Sequence, residues 1–100
     1  MEISTKNLLG LAMKAGKIIS GEEACMRGFK KKIYLVIVAK DASLNTTNTF
    51  KNKCAFYNIP LRLTGTKEEL GMSIGKTFRA VLAVRDKEFA VALLKSIDNG

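Results

Sequence analysis

One hundred residues with 47% hydrophobic content fit one domain, residues 1–100, and leave no room for a second. Seventeen Lys and Arg against nine Asp and Glu give a net charge of +8, which bears on partners and solubility and not on fold. Without histidine, His-dependent triads, His general bases and His-ligated metals are excluded, and two lone cysteines with no C-x-x-C pair make a poor zinc site.

Taken in order, Ser4 caps a first predicted helix running through Ala15, with Leu8, Leu11, Ala12 and Ala15 as its apolar stripe and Gly16 as its stop. Ile18-Ile19 reads as a brief edge strand. Ser20-Gly-Glu-Glu then has the form of a capping box, Ser20 with Glu23, opening a short helix from about Gly21 to Gly28. The run Tyr34-Leu-Val-Ile-Val-Ala39 is apolar, β-branched and without polar alternation, so it predicts a central strand covered on both faces. A polar segment, Asn45 to Asn48, is expected to cap a helix reaching Tyr57, with Phe50, Cys54 and Tyr57 on its buried face. Asn58-Ile-Pro60 ends it, because the residue before proline is pushed towards extended geometry.

Pro60 to Leu63 predicts a short strand, and Thr66 with Glu69 a second capping box for a helix ending near Gly75. Lys76 to Arg79 form a basic loop, Ala80 to Val84 a further strand, and Asp86 caps a last helix with Phe89, Ala90, Leu93, Leu94 and Ile97 inward. The order α β α β α β α β α predicts an α/β fold: a three-layer α/β/α sandwich around a mixed sheet of about four strands. Cys25 and Cys54 fall in helical, apolar settings that suit reduced, buried thiols. Met1-Glu2-Ile3 opens without a basic n-region and apolar h-region, and no apolar run nears the roughly 20 residues that span a bilayer, so a cytoplasmic protein with no membrane partner is expected.

The charge is unevenly placed. From Lys14 to Lys40 there are seven basic and two acidic residues, a net of +5, against +3 over residues 41–100. Lys30-Lys31-Lys32 lies between the second helix and the central strand, at the rim of the sheet. The skew favours nucleic acid over an anionic membrane; a solvated basic face is the plainer alternative. Catalytic constellations fail on inspection, and a nonenzymatic protein without cofactor or metal is expected. Glu22-Glu23 and Glu68-Glu69 sit in first helical turns, where negative charge is favourable for structural reasons. Gly71-Met-Ser-Ile-Gly-Lys-Thr has one residue too few between its glycines for a phosphate loop, and it closes a helix where that loop would open one. Gly21 either starts its helix or lets a partner approach its backbone. Beside it, Glu22 and Glu23 suit the donor edge of a guanine better than a phosphate, with nearby lysines left to hold phosphates.

Gly21 with Arg27, the strand ending Val-Ala-Lys-Asp41-Ala-Ser, Cys54 with Tyr57-x-Ile-Pro60, Leu70-Gly-x-Ser-Ile-Gly75, and Ala83-Val with Phe89-Ala together resemble the kink-turn RNA-binding ribosomal protein superfamily. That superfamily includes the archaeal L-seven-Ae and eukaryotic L-thirty-e proteins. The resemblance covers nearly the whole chain in order, and Leu9-Gly-Leu-Ala12, Ser20-Gly-Glu and Ser73-Ile-Gly-Lys76 bring it nearest to a short bacterial branch, the YlxQ type. It implies a sandwich that binds sharply bent RNA, with the helix starting at Gly21 set in the major groove beside tandem sheared G·A pairs. Of the family pattern G-x-N-E-x-x-K, Gly21 and Arg27 match, while Glu23 and Ala24 replace the Asn-Glu pair. A shift of one residue would put Glu22 and Glu23 on Asn-Glu but Ser20 on the glycine and Met26 on the lysine. The resemblance further implies that Lys76, Thr77, Phe78 and Arg79 flank an extruded nucleotide, Phe78 as a stacking face and Arg79 as a phosphate partner; the alternative for Phe78 is a core position. Lys30, Lys31 and Lys32 would contact the RNA backbone. The expected partner is structured, kink-turn-like RNA, in a ribosomal or regulatory context, bound by a monomer. A protein-interaction module that docks on an acidic partner through the same basic face is the second reading.

Overall fold

A computed structural model describes residues 1–100. The elements follow as α1 (Ile3–Lys14), β1 (Ile18–Ser20), α2 (Glu22–Gly28), β2 (Leu35–Val38), α3 (Leu44–Tyr57), β3 (Leu61–Leu63), α4 (Lys67–Ser73), β4 (Val81–Val84) and α5 (Lys87–Asn99). The strands form one mixed sheet in the order β1-β4-β2-β3, with β2 and β3 parallel and the other two pairs antiparallel. This is the three-layer sandwich that the alternation of elements predicts.

The run without polar alternation explains the layering. All four residues of β2 are buried, because its two faces enter two different cores. Leu35 and Ile37 join Leu82, Val84, Leu9, Leu70 and Leu93 under α1, α4 and α5. Val36 and Val38 join Val81, Ala83, Cys25, Phe29 and Phe50 under α2 and α3. Each such aliphatic side chain taken from water contributes roughly 1.5–3 kcal/mol, which makes β2 and β4 the anchor of the fold. Both cysteines lie in the second core. Burial pushes the Cys25 thiol up to about 12 and the Cys54 thiol up to about 11, so neither is a ready nucleophile.

Three local expectations are corrected. Helix α1 begins at Ile3, and Glu2 flanks it with no side-chain cap; Ser4 lies inside the helix and pairs its hydroxyl with that of Ser96 at 2.9 Å. Its buried face is Thr5, Leu9 and Ala12, whereas Leu11 and Ala15 are exposed. The offset has a polar origin: Thr5 is inside because its Oγ1 meets Ser96 Oγ at 2.6 Å on α5, so a buried hydroxyl is satisfied. Next, the Ser20–Glu23 capping box does not form. Ser20 is the last residue of β1, opposite Leu82, and the ladder holds it extended while Gly21 takes the cap position. Last, α3 is capped by Ser43, whose Oγ accepts from the Thr46 N–H at 3.1 Å; Asn45 and Asn48 fall within its first turns. Tyr57 leaves the buried face at 42% exposure and lays its ring on Phe29. The Thr66–Glu69 capping box is present with both its hydrogen bonds at 3.1 Å, and Asp86 caps α5 by accepting from the Phe89 N–H.

Candidate nucleic-acid interface

One end of the sheet gathers the segments that follow β1, β2 and β3 and precede β4. Gly21, just past β1, donates its N–H to the Val81 carbonyl at 3.0 Å, which fixes the entry of α2 beside the start of β4. Its φ of 95° and ψ of 151° belong to a region that only glycine occupies without strain. The space where a side chain would project is open, with no atom within 4 Å. Glu22 is held: its Oε1 accepts from Thr46 Oγ1 at 2.8 Å, tying the start of α2 to the start of α3. Glu23 is not. Its side chain is 93% exposed and meets the Arg27 guanidinium, itself 71% exposed, at 3.8 Å. An ion pair so open to water holds neither group firmly, so both are free to turn to a partner.

The loop after α4 reaches the same end. Lys76 donates its N–H to the Gly71 carbonyl at 2.8 Å and Arg79 to the Lys67 carbonyl at 3.0 Å, so the loop is folded back on the helix it follows. Gly71 permits this fold, because a Cβ there would stand 1.2 Å from the Thr77 carbonyl oxygen. Between these ties Lys76, Thr77 and Phe78 are exposed, and Arg79 is half-buried with Nη1 on the Phe78 carbonyl at 2.8 Å. Phe78 is 65% exposed, which removes the reading of it as a core residue. The structure thus brings Gly21, Glu22, Glu23, Lys76, Thr77, Phe78 and Arg79 to one end of the sheet, with Arg27 further along α2.

Lys30, Lys31 and Lys32 do not join them. They follow the far end of α2 and precede Tyr34, whose N–H donates to Val84 at the finish of β4, so they lie at the opposite end of the sheet. Seven residues of α2, about 10 Å of helix, stand between the two sites. Two features of this end escape a reading of the sequence. Thr46 is buried and clamps Glu22, a tertiary contact with no local pattern. Leu44, directly after the Ser43 cap at the first position of α3, is 75% exposed at the same end of the sheet. A surface depression of about 620 Å³ between α1 and α4 is lined by Lys6, Lys14 and Glu69 among others and lacks an organised nucleophile. No group of three or more Cys, Asp or Glu side chains is placed to hold a metal ion. No helix is long and apolar enough to cross a membrane.

Fold and site together define an α/β/α domain with a glycine-entered helix, an exposed aromatic on a basic loop, and a basic rim. Residues 4–94 match the Ribosomal protein L7Ae/L30e/S12e/Gadd45 family, and the chain belongs to it. Similar proteins include the RNA-binding protein YlxQ of Bacillus subtilis (strain 168), 39% identical over 92 residues and covering 91% of this chain and 92% of that protein. The RNA-binding protein YlxQ of Enterococcus faecium is 41% identical over 85 residues, covering 84% and 82%. Among solved structures, a Bacillus halodurans protein described as of unknown function superposes with a TM-score of 0.93 at 36% identity, covering 97% of this chain and 99% of that one. The Giardia lamblia 15.5kD RNA binding protein superposes with a TM-score of 0.82 at 17% identity, covering 97% and 87%, and shares the fold.

Proposed function

We propose that this chain is a nonenzymatic RNA-binding protein that recognises a sharply bent RNA containing tandem G·A pairs, using the sheet end that carries Gly21 and the Lys76–Arg79 loop. The observation that carries the reading is the Gly21 N–H to Val81 hydrogen bond, which sets an open, glycine-only helix entry at the same end of the sheet as the exposed Phe78. In this reading the α2 entry lies against the base pairs, Glu22 or Glu23 accepts from a guanine edge, Arg27 holds a phosphate, and Phe78 stacks on an extruded base. The RNA-binding names of two relatives at 39% and 41% identity support the same partner class.

The test is a titration against a kink-turn RNA and a control with Watson–Crick pairs in place of the G·A pairs, at near-physiological salt. Clear preference for the kink-turn is expected; equal, salt-sensitive binding would reduce the interface to a basic surface. Glu23→Asn in the same titration is expected to hold or raise kink-turn affinity, because an amide can donate as well as accept where an ionised carboxylate only accepts. A large loss would count against the match of Gly21, Glu23 and Arg27 to the family pattern.

A further inference from the structure

Lys30, which α2 carries away from Gly21, directly follows an aromatic residue that belongs to a ladder of rings. Phe29, at the end of α2, stacks on Tyr57, at the end of α3, with ring centroids 5.3 Å apart and planes 16° from parallel. Phe56 meets Tyr57 edge-on at 5.0 Å. The ladder runs from the core outwards: Phe29 is buried, Tyr57 is 42% exposed and Phe56 is 80% exposed. A ring left four-fifths in water adds little to folding, so Phe56 calls for a second account.

Its surroundings are cationic and uncompensated. Lys30 directly follows Phe29, and Lys53, three residues before Phe56, lines with Thr49, Asn52 and Phe56 a surface depression of about 430 Å³. Helix α3 has two lysines and no acidic residue. Between Glu23 and Glu68 the chain's single acid is Asp41, at the other end of the sheet, where its carboxylate accepts from the Lys67 N–H. Exposed π faces beside unpaired lysines match the chemistry of an unpaired nucleic-acid strand, in which bases stack and phosphates pair with cations. An acidic peptide would engage the lysines but leave the rings without a partner.

We propose that this corner, formed by Phe56, Tyr57, Lys53 and Lys30, binds an unpaired RNA strand; Lys31 lies on the other side of α2, lining a depression with Arg27 and Arg85. One base stacks on Phe56, and the neighbouring phosphates lie on the lysines. The site stands at the opposite end of the sheet from Gly21 and does not depend on recognition of bent RNA.

The test uses a short oligouridine RNA and a duplex RNA of equal length, titrated against the wild-type protein, Phe56→Leu, Phe56→Tyr and Lys53→Gln. Phe56→Leu is expected to weaken oligouridine binding about tenfold with duplex binding unchanged, because stacking needs a ring. Phe56→Tyr keeps the ring and retains affinity. Lys53→Gln weakens binding and lowers its salt dependence. Phe56 is on the surface, so these variants should keep the wild-type urea midpoint. Wild-type affinity in Phe56→Leu, an equal loss on duplex and single strand, or no oligouridine binding by the wild type would overturn the proposal. Preference of Phe56→Leu for the kink-turn over its Watson–Crick control reads the Gly21 end separately, so either site can fail alone.

Discussion

Gly71→Ala is expected to lower the stability of this protein by about 3 kcal/mol, the scale of overpacking a site with no free volume, and, on the proposed use of the Lys76–Arg79 loop, to weaken RNA binding at the same time. The added methyl would stand 1.2 Å from the Thr77 carbonyl oxygen and 3.2 Å from the Phe78 nitrogen, both backbone atoms, so no rotamer change relieves it. The loop has to lift, and that breaks the Lys76-to-Gly71 hydrogen bond at 2.8 Å and displaces Phe78. For a chain of 100 residues the loss corresponds to a fall of roughly 15 °C in the thermal midpoint. Met72→Ala is the control: it is the next residue on the same helix, its side chain is 67% exposed, and its stability should change by no more than about 0.5 kcal/mol. Paired urea titrations of the two variants check the result. Equal midpoints would mean that the α4–loop contact is looser than the backbone geometry requires.

Gly71 also shows where reading the sequence stops. Its place within Leu70-Gly-x-Ser-Ile-Gly75 is visible as a motif, but the reason for the glycine lies six residues away, in a carbonyl that only the folded loop brings back. The elements themselves are legible because each rests on local signals: the unbroken apolar run for β2, the Thr66–Glu69 spacing for α4, and Asp86 before an amphipathic stretch for α5. Local signals mislead where tertiary pairing outbids them. Ser20 has the side chain of a cap, yet strand pairing with β4 claims its backbone. Thr5 has the side chain of a surface residue, yet Ser96 from α5 satisfies it in the interior. The same limit divides the basic residues. Sequence proximity groups Lys30–Lys32 with Gly21, but a helix is a rod, and α2 carries them to opposite ends of the sheet.

Gly21→Ala costs about 1–3 kcal/mol of stability, since alanine has no comfortable place at a φ of 95° with a ψ of 151°. The affinity change separates strain from contact. In the free protein the new methyl meets no atom within 4 Å, so the whole stability loss is conformational and no neighbour is displaced. A kink-turn RNA seated on the α2 entry would meet that methyl directly, and preference for it over the Watson–Crick control should fall at least tenfold, about 1.4 kcal/mol. Binding of the Watson–Crick control should change little, because the substitution leaves all seventeen basic side chains in place. The titration is made well below the variant's unfolding transition, so that the population of folded protein is the same as in the wild type. A folded Gly21→Ala protein that keeps the wild-type preference would place the RNA elsewhere on this end of the sheet, against the loop and Phe78 and away from the helix entry.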